Sequence, residues 1–208
     1  MNVSAQEALQ RLQEGNRRFV AGDSDYHTRT TQRRRQELLA GQEPFAVVLG
    51  CSDSRVPAEI VFDQGLGDLF VIRVAGNVVA PSLVGSIEFA ATKFNTRLVV
   101  VLGHSHCGAV EATLQELQRP SAERSPNLGS IVGRIRPSVQ TLLETDLRSD
   151  PDALLYHAMR ANVRASANQI RHASPILEGL VQNDGLLIAG AEYDLATGLV
   201  DFFEQIDG

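Results

Sequence analysis

The sequence predicts a single α/β domain built around a mostly parallel β-sheet. Three observations favour this class: short apolar runs without polar alternation, a strand–helix–strand spacing in the centre, and a length of 208 residues, which suits one domain. Such runs are typical of strands that are covered on both faces, as parallel strands are. The predicted domain spans residues 1–208, with a helical arm over 1–41 and an α/β core over 42–208.

The arm is predicted to contain two amphipathic helices. Ser4 and Glu7 have the spacing of a capping box, and the apolar stripe that follows them ends at Gly22. A second helix is predicted over about 31–40, with Gly41 after its end. Because neither helix can bury its apolar side alone, each is expected to pack on the main body or on a partner subunit.

Three buried strands are predicted next, in the apolar runs 45–50, 69–74 and 97–103. A helical pattern over 81–94 joins the second run to the third. A strand–helix–strand connection of this length predicts a crossover between parallel strands.

The second half, from residue 108 to about 182, is predicted to be largely helical. A last core strand is predicted at 186–191, and a turn at 194–198 leads into a predicted antiparallel partner at 199–203. Three pairs of a capping residue followed by proline indicate helix starts: Ser125–Pro126, Asp150–Pro151 and Ser174–Pro175.

Composition excludes several classes of protein. A net charge of -6 argues against a nucleic-acid partner, because such binders carry basic surfaces. No window approaches the roughly 20 apolar residues of a membrane span, and the first residues lack the layout of a signal peptide. We therefore expect a cytoplasmic protein without membrane association, and its two cysteines are too few for a disulfide framework.

Those two cysteines follow matching strand ends. The tetrapeptide Val-Val-Leu-Gly precedes both Cys51 and His104, and Cys107 comes three residues after the histidine. Sites in open α/β sheets form at the carboxyl ends of the strands, so the three side chains are predicted to converge there. Two cysteines and a histidine suit zinc, and three ligands leave the open position that is typical of a catalytic site.

Asp53 and Arg55 lie in the same tight loop and are expected to form a charge-assisted pair. The pair would keep the carboxylate off the metal, and its loss would let Asp53 become a fourth ligand. His106 is expected to face away from the metal. Taken singly, the residues also have structural interpretations: Cys51 as a small buried side chain, His104 as a core histidine, and the acid–base pair as an ordinary ion pair.

The residues 51–55, Cys-Ser-Asp-Ser-Arg, followed by His104-x-x-Cys107-Gly108, resemble the signature of the β-class carbonic anhydrases. Further agreement lies at 14–19, 42–44, 63–68, 73–77 and 85–89. The resemblance implies four parallel strands plus an antiparallel C-terminal strand, with flanking helices. It also implies one zinc ion per subunit, held by Cys51, His104 and Cys107, with Asp53 as an additional ligand in a closed form at low pH.

The implied activity is that of a carbonate dehydratase, a lyase that reversibly hydrates CO2 to bicarbonate and a proton. Zinc-bound hydroxide would attack CO2 while Asp53 orients the nucleophile and, with Arg55, gates the site. The substrate-binding positions that the resemblance implies are Gln42, Phe70, Ala75, Phe89 and Gly108.

Two positions depart from patterns known in the family. Phe89 stands where plant-type members often have tyrosine, which implies a drier pocket. Val48 stands where some bacterial members have the tryptophan of a regulatory bicarbonate pocket, so that regulation is not expected. The resemblance further implies a homodimer or homotetramer with the active site at the subunit boundary. His27 and His106 are candidates for passing the released proton to buffer.

Two other functions remain open from the sequence. Relatives on the same fold hydrolyse carbonyl sulfide or carbon disulfide, which are linear molecules like CO2. A non-catalytic zinc or redox module is the second alternative, and the three-ligand set, Gln42 and the Asp53–Arg55 pair argue against it.

Overall fold

Five strands form one sheet in the order β2-β1-β3-β4-β5 in the computed structural model, which describes residues 3–118 and 125–206. The first four strands run parallel and β5 pairs antiparallel with β4, as the sequence and the resemblance predicted. The strands are β1 (Ala46–Gly50), β2 (Leu69–Arg73), β3 (Leu98–His104), β4 (Leu187–Tyr193) and β5 (Val200–Ile206).

Nine α-helices surround the sheet within the described ranges. They are α1 (Ala5–Ala21), α2 (Tyr26–Arg29), α3 (Gln32–Glu37), α4 (Ala58–Val61), α5 (Pro81–Lys93), α6 (Gly108–Gln118), α7 (Pro126–Val139), α8 (Pro151–His172) and α9 (Pro175–Asn183). Single 3₁₀ turns lie at Leu38–Ala40, Ala75–Asn77, Gln140–Glu144 and Asp146–Ser149.

The predicted helix over 31–40 is α3 followed by a 3₁₀ turn. The helices α2 and α4 were missed, because four residues are too few to show an apolar period. Part of the predicted helical stretch, 119–124, lies outside the described residues.

Helix starts follow the predicted capping residues. The Ser4 hydroxyl accepts a hydrogen bond from the Glu7 backbone N–H at 3.2 Å, and Gly22 ends α1 in the left-handed conformation. The helices α7, α8 and α9 each begin at the proline of a predicted pair; Asp150 and Ser174 accept capping hydrogen bonds through their side chains, whereas Ser125 accepts none. Proline suits this position because the first N–H of a helix has no partner within it.

The core has a layer on each face of the sheet. On one face, α1 and α4 pack with the buried ring of Phe62. On the other face, α5, α8 and α9 cover the strands. The apolar stripe of α1 therefore packs on its own subunit, which decides between the two alternatives left open by the sequence.

A third apolar cluster lies under α6 and α7 and surrounds Cys51 and Cys107. The fold thus places both cysteines in a dry region at one end of the sheet. Among the helices of the described ranges, none has the length and apolar character that crossing a membrane requires.

Candidate active site

Three potential metal ligands converge at the carboxyl edge of the sheet. Cys51 directly follows β1, His104 is the last residue of the neighbouring parallel strand β3, and Cys107 precedes α6. One ligand atom from each lies within 4.8 Å of the other two, and all three side chains are buried. Parallel strands deliver their carboxyl ends to the same edge, so the convergence follows from the topology.

The tautomer of His104 is fixed by a single contact. Its Nδ1 lies 2.9 Å from the carbonyl oxygen of Ser105, and because a carbonyl only accepts, Nδ1 carries the proton. Nε2 is then left with its lone pair. It is fully buried and has no hydrogen-bond partner in the described part of the chain. A buried acceptor of this kind is satisfied by a metal ion, and the Cys2His set fits zinc.

The two thiols share a proton. A hydrogen bond with the Cys107 thiol lowers the pKa of Cys51 to about 4, against the opposing effect of burial, and the backbone N–H groups of Gly76 and Asp53 lower it further. The same bond raises the pKa of Cys107. Without metal, this hydrogen bond therefore favours the thiolate at Cys51 and the thiol at Cys107. Zinc requires both sulfurs as thiolates, so its binding releases the shared proton.

Cys107 also lies at the N-terminus of α6. Its carbonyl accepts the first helical hydrogen bond, from the Glu111 N–H at 3.0 Å, and the backbone N–H groups of Val110 and Ala109 lower the pKa of its thiol. A helix N-terminus stabilises negative charge, so this position favours the thiolate that a metal needs.

Asp53 is held by Arg55 in a two-pronged ion pair. Arg55 Nε donates to Oδ1 at 2.9 Å, and Nη2 donates to Oδ2 at 2.7 Å. These bonds hold the pKa of Asp53 well below its usual range, so the carboxylate is ionised. Its Oδ2 lies 3.9 Å from Nε2 of His104, beside the cluster but outside it.

The neighbouring His106 contributes backbone instead of side chain. Its carbonyl accepts a weak hydrogen bond from Arg55 Nη2 at 3.4 Å, while its side chain is exposed. Its φ of 53° places it in the left-handed region, which is uncommon for a residue with a side chain. Arg55 therefore also contacts the turn that joins His104 to Cys107.

Two residues that contact the site, Arg73 and Gly76, were missed in the sequence. Arg73 spans the ligand loop, with Nε donating to the Cys51 carbonyl at 3.1 Å and Nη2 to the Asp53 carbonyl at 2.6 Å. The Gly76 N–H donates to Cys51 Sγ at 3.4 Å. Both residues lie at or just after the carboxyl end of β2, beside β1, and that position is the signal by which they could have been found.

The implied substrate positions fall into two groups. Ala75 precedes the Gly76 that contacts Cys51, and Gly108 follows Cys107, so both adjoin the cluster. Gln42 lies before β1, and β1 rises by roughly 17 Å between it and Cys51. It lines an open cleft of about 870 Å³ on that side of the sheet.

Phe70 and Phe89, like Gln42, lie away from the carboxyl end of β1 where Cys51 is found. Phe70 pairs with Val47 in the first half of β1, and its ring centroid lies 6.3 Å from that of Phe89 on α5. Phe89 is 51% exposed. Within one subunit, therefore, the structure does not bring Gln42, Phe70 and Phe89 to the ligand cluster.

Sequence comparison places the chain among known proteins. Residues 46–200 match the family model described as "Carbonic anhydrase". A carbonic anhydrase of Mycolicibacterium smegmatis is 41% identical over 93% of this chain and 91% of its own length. Carbonic anhydrase 2 of Mycobacterium tuberculosis is 39% identical over 95% of this chain and 92% of its own length.

Solved structures agree with this result. The β-carbonic anhydrase CcaA superposes with a TM-score of 0.76 at 25% identity, covering 96% of this chain and 92% of its own. The β-carbonic anhydrase CafA of Aspergillus fumigatus gives a TM-score of 0.74 at 26% identity, covering 96% and 90%. Fold, ligand set and sequence agree, and the chain belongs to the β-carbonic anhydrase family.

Proposed function

We propose that the protein catalyses the reversible hydration of CO2 to bicarbonate and a proton. The observation that carries the proposal is a buried three-ligand cluster with an ionised carboxylate, Asp53, held beside it and outside it. Zinc bound by Cys51, His104 and Cys107 would act as a Lewis acid and bring the pKa of a coordinated water towards about 7.

Asp53 is proposed to orient the nucleophile by accepting its proton in a hydrogen bond. Because Arg55 holds both carboxylate oxygens, the direction of the remaining lone pairs is fixed and the group does not need to reorganise during the reaction. Arg73 fixes the backbone of the same loop. The apolar residues around Cys51 and Cys107, among them Val78 and Ile135, suit an uncharged substrate such as CO2.

We propose a homodimer as the basic unit and a tetramer as a further assembly, with a second copy supplying Gln42, Phe70 and Phe89 to each site. Support comes from the separation of these residues from the cluster of their own subunit and from the exposed ring of Phe89. Gln42 would then hydrogen-bond bicarbonate, and the phenylalanines would line the apolar side of the pocket.

A cytoplasmic location is part of the proposal. The support comes from the two cysteines. Both sulfurs must remain reduced to bind zinc, and they lie close enough to form a hydrogen bond with each other. A reducing compartment keeps such thiols free, whereas an oxidising one favours disulfides. Fractionation of the source cells with antibody detection tests this location, and recovery in an extracytoplasmic fraction contradicts it.

The activity is tested by stopped-flow CO2 hydration with and without a zinc chelator. We expect rapid hydration, loss after chelation and recovery with added zinc. Carbonyl sulfide and carbon disulfide hydrolysis are measured on the same preparation. Faster turnover of either sulfur compound than of CO2 overturns the substrate assignment, and full CO2 hydration without metal overturns the mechanism.

A further inference from the structure

The turn that donates a hydrogen bond to Cys51 has an unusual backbone. Gly76 has φ 69° and ψ 22°, and Asn77 has φ 43°, so two consecutive residues occupy the left-handed region. Glycine adopts this region freely, but asparagine does so at a cost and needs its surroundings to hold it there. This conformation lets the Gly76 N–H reach Cys51 Sγ at 3.4 Å.

Two polar side chains of α8 hold the same two residues. Asn162 Nδ2 donates to the Gly76 carbonyl at 2.8 Å, and Ser166 Oγ donates to the Asn77 carbonyl at 3.1 Å. The donors are four residues apart, which places them one above the other on one helix face. Asn162 is 2% exposed and Ser166 is 4% exposed, in a helix whose other buried residues are apolar.

The turn is also enclosed on its other side. A Cβ atom added at Gly76 would lie 2.8 Å from Cδ1 of Ile135 on α7 and 3.0 Å from Cβ of Ala109 on α6. Since α6 begins directly after Cys107, the turn is packed between α8 and the helix that follows a second proposed ligand. A shift of the turn would therefore disturb the surroundings of both cysteines.

We propose that Asn162 and Ser166 are positioning residues of the metal centre, which hold the Gly76–Asn77 turn so that its N–H donates to the Cys51 sulfur. This inference rests on the zinc site proposed above. A hydrogen bond to a thiolate withdraws charge from the sulfur and fixes its direction, so the two α8 side chains act on the metal through the turn. Contacts one step beyond the ligands affect metal affinity about 10- to 100-fold, and the Gly76 N–H, which the two side chains hold in place, is such a contact.

The test compares the wild type with Asn162→Ala, Ser166→Ala and the double variant. Zinc affinity is measured by competition with a chromophoric chelator. The sulfur-to-metal charge-transfer band is measured on the cobalt-substituted protein, because its energy reports the charge on the thiolates. We expect the double variant to bind zinc at least about tenfold more weakly and to shift the band to lower energy.

Ile170→Ala is the matched control for a loss of stability. Ile170 is fully buried on α8, about two turns beyond Asn162, and belongs to the apolar layer that packs on the sheet. We expect this variant to melt at a lower temperature with its zinc affinity and cobalt band unchanged. Ser166→Thr keeps a hydroxyl group and is expected to retain the wild-type band, unlike Ser166→Ala.

The results distinguish a failure of the proposed zinc site from a failure of the positioning role of Asn162 and Ser166. If the wild type binds less than one zinc per chain, or if Cys51→Ser leaves zinc binding intact, the proposed metal site fails. If both of those results are as expected but the Asn162 and Ser166 variants keep the wild-type affinity and band, only the positioning role fails. Should the double variant not fold, the single variants decide, since each removes one of the two bonds.

Discussion

At the scale of single residues, each proposed ligand is oriented by a different backbone group. The Ser105 carbonyl fixes the proton of His104, the Gly76 N–H contacts the Cys51 sulfur, and the N-terminus of α6 favours the thiolate of Cys107. Removal of one ligand is therefore expected to leave the other two side chains in place, but two protein ligands are fewer than the three that a catalytic zinc site has.

Replacement of Cys107 by serine tests the ligand set. A neutral hydroxyl is a poor zinc ligand compared with a thiolate, so we expect Cys107→Ser to lose stoichiometric zinc and nearly all CO2 hydration. Zinc content is measured by atomic absorption and activity by stopped flow. Glu111→Gln, an exposed change in the first turn of α6, is the control and is expected to keep both. Full zinc and activity in the serine variant would contradict the assignment.

Arg55→Lys tests the two-pronged ion pair. Lysine keeps the charge but cannot donate through both Nε and Nη2, so Asp53 loses its fixed direction. We expect the hydration rate to fall roughly 100-fold, the size of effect that misplacing a reacting group causes. Zinc content should stay at the wild-type level. Ser54→Ala in the same loop is the control, and equal rates in the lysine variant and the wild type would remove Arg55 from the mechanism.

The pH dependence follows from the low pKa of Asp53. The pair with Arg55 is formed above the ordinary pKa of an aspartate and is lost through protonation only as pH falls through the lowered value. Across the neutral range the carboxylate stays ionised, so closing of the site would be an exchange of partners from Arg55 to zinc. At high pH hydroxide, a better zinc ligand than neutral water, would oppose that exchange.

Crystal structures over a pH series check this gate. We expect four protein ligands, including Asp53, at acid pH, and the Asp53–Arg55 pair with a water on zinc at alkaline pH. Asp53 bound to zinc at every pH would exclude the gate.

The sequence was sufficient to identify the ligand cluster and its acid–base pair as one group. Two recognisable strand ends carry Cys51 and His104, and Cys107 follows three residues after the histidine. Because the two strands are parallel neighbours, the sheet brings the three side chains together. The supporting residues could not be found in the same way. Arg73 and Gly76 contact the ligand loop from the end of β2 and from the turn after it. Asn162 lies on α8, 86 residues further along the chain than Gly76, whose carbonyl accepts its hydrogen bond.

At the scale of elements, one buried asparagine adds three hydrogen bonds to the apolar packing of α1 on the core. Asn16 Nδ2 donates to the carbonyls of Val61 at 3.1 Å and Gly198 at 2.9 Å, and its Oδ1 accepts from the Val200 N–H at 2.9 Å. The side chain thus connects α1, α4 and the start of β5. The sequence predicted α1 and β5, but not the residue that joins them.

Asn16→Ala should lower the free energy of unfolding by about 3 kcal/mol, because three largely buried backbone groups lose their partner. Urea denaturation measures this change at fixed protein concentration. Gln10→Ala, on the exposed side of α1, is expected to stay within about 0.5 kcal/mol of the wild type. Equal stability of the two variants would show that the Asn16 hydrogen bonds do not stabilise the packing of α1.

The first three strands were predicted more accurately than β4 and β5, whose predicted ends at 191 and 203 fall short of Tyr193 and Ile206. The runs that became β1, β2 and β3 were located to within one residue at each end, since a short uninterrupted apolar run is typical of a strand buried on both faces. The 3₁₀ turn at Ala75–Asn77 has no apolar period, and contacts with α8 hold it in place. Local patterns cannot reveal a conformation that distant residues stabilise.

At the scale of the whole molecule, the proposed dimer makes each site depend on two chains. Gln42→Ala would then damage the site that contains the partner's ligands, whereas Cys107→Ser would damage the site of its own subunit. A mixed dimer of the two variants would contain one site with both defects and one intact site.

Mixing the two variants after dissociation and reassembly tests this arrangement. We expect activity to rise from near that of the separate variants to about a quarter of the wild-type value, because half of the dimers are mixed and each has one intact site. Light scattering confirms the assembly state. No gain on mixing, with mixed dimers shown to be present, would contradict a site shared between chains.

Most contacts that hold the proposed metal site end on the main chain. The acceptors are the carbonyl oxygens of Cys51, Asp53, Gly76, Asn77 and Ser105, and the Gly76 N–H is a donor. A substitution changes a side chain but leaves the main-chain N–H and carbonyl groups in the chain. The groups that these contacts reach are therefore kept when neighbouring side chains change. The support of the centre therefore depends on the donor side chains of Arg73, Asn162 and Ser166, and not on the side chains of the residues whose carbonyls they contact.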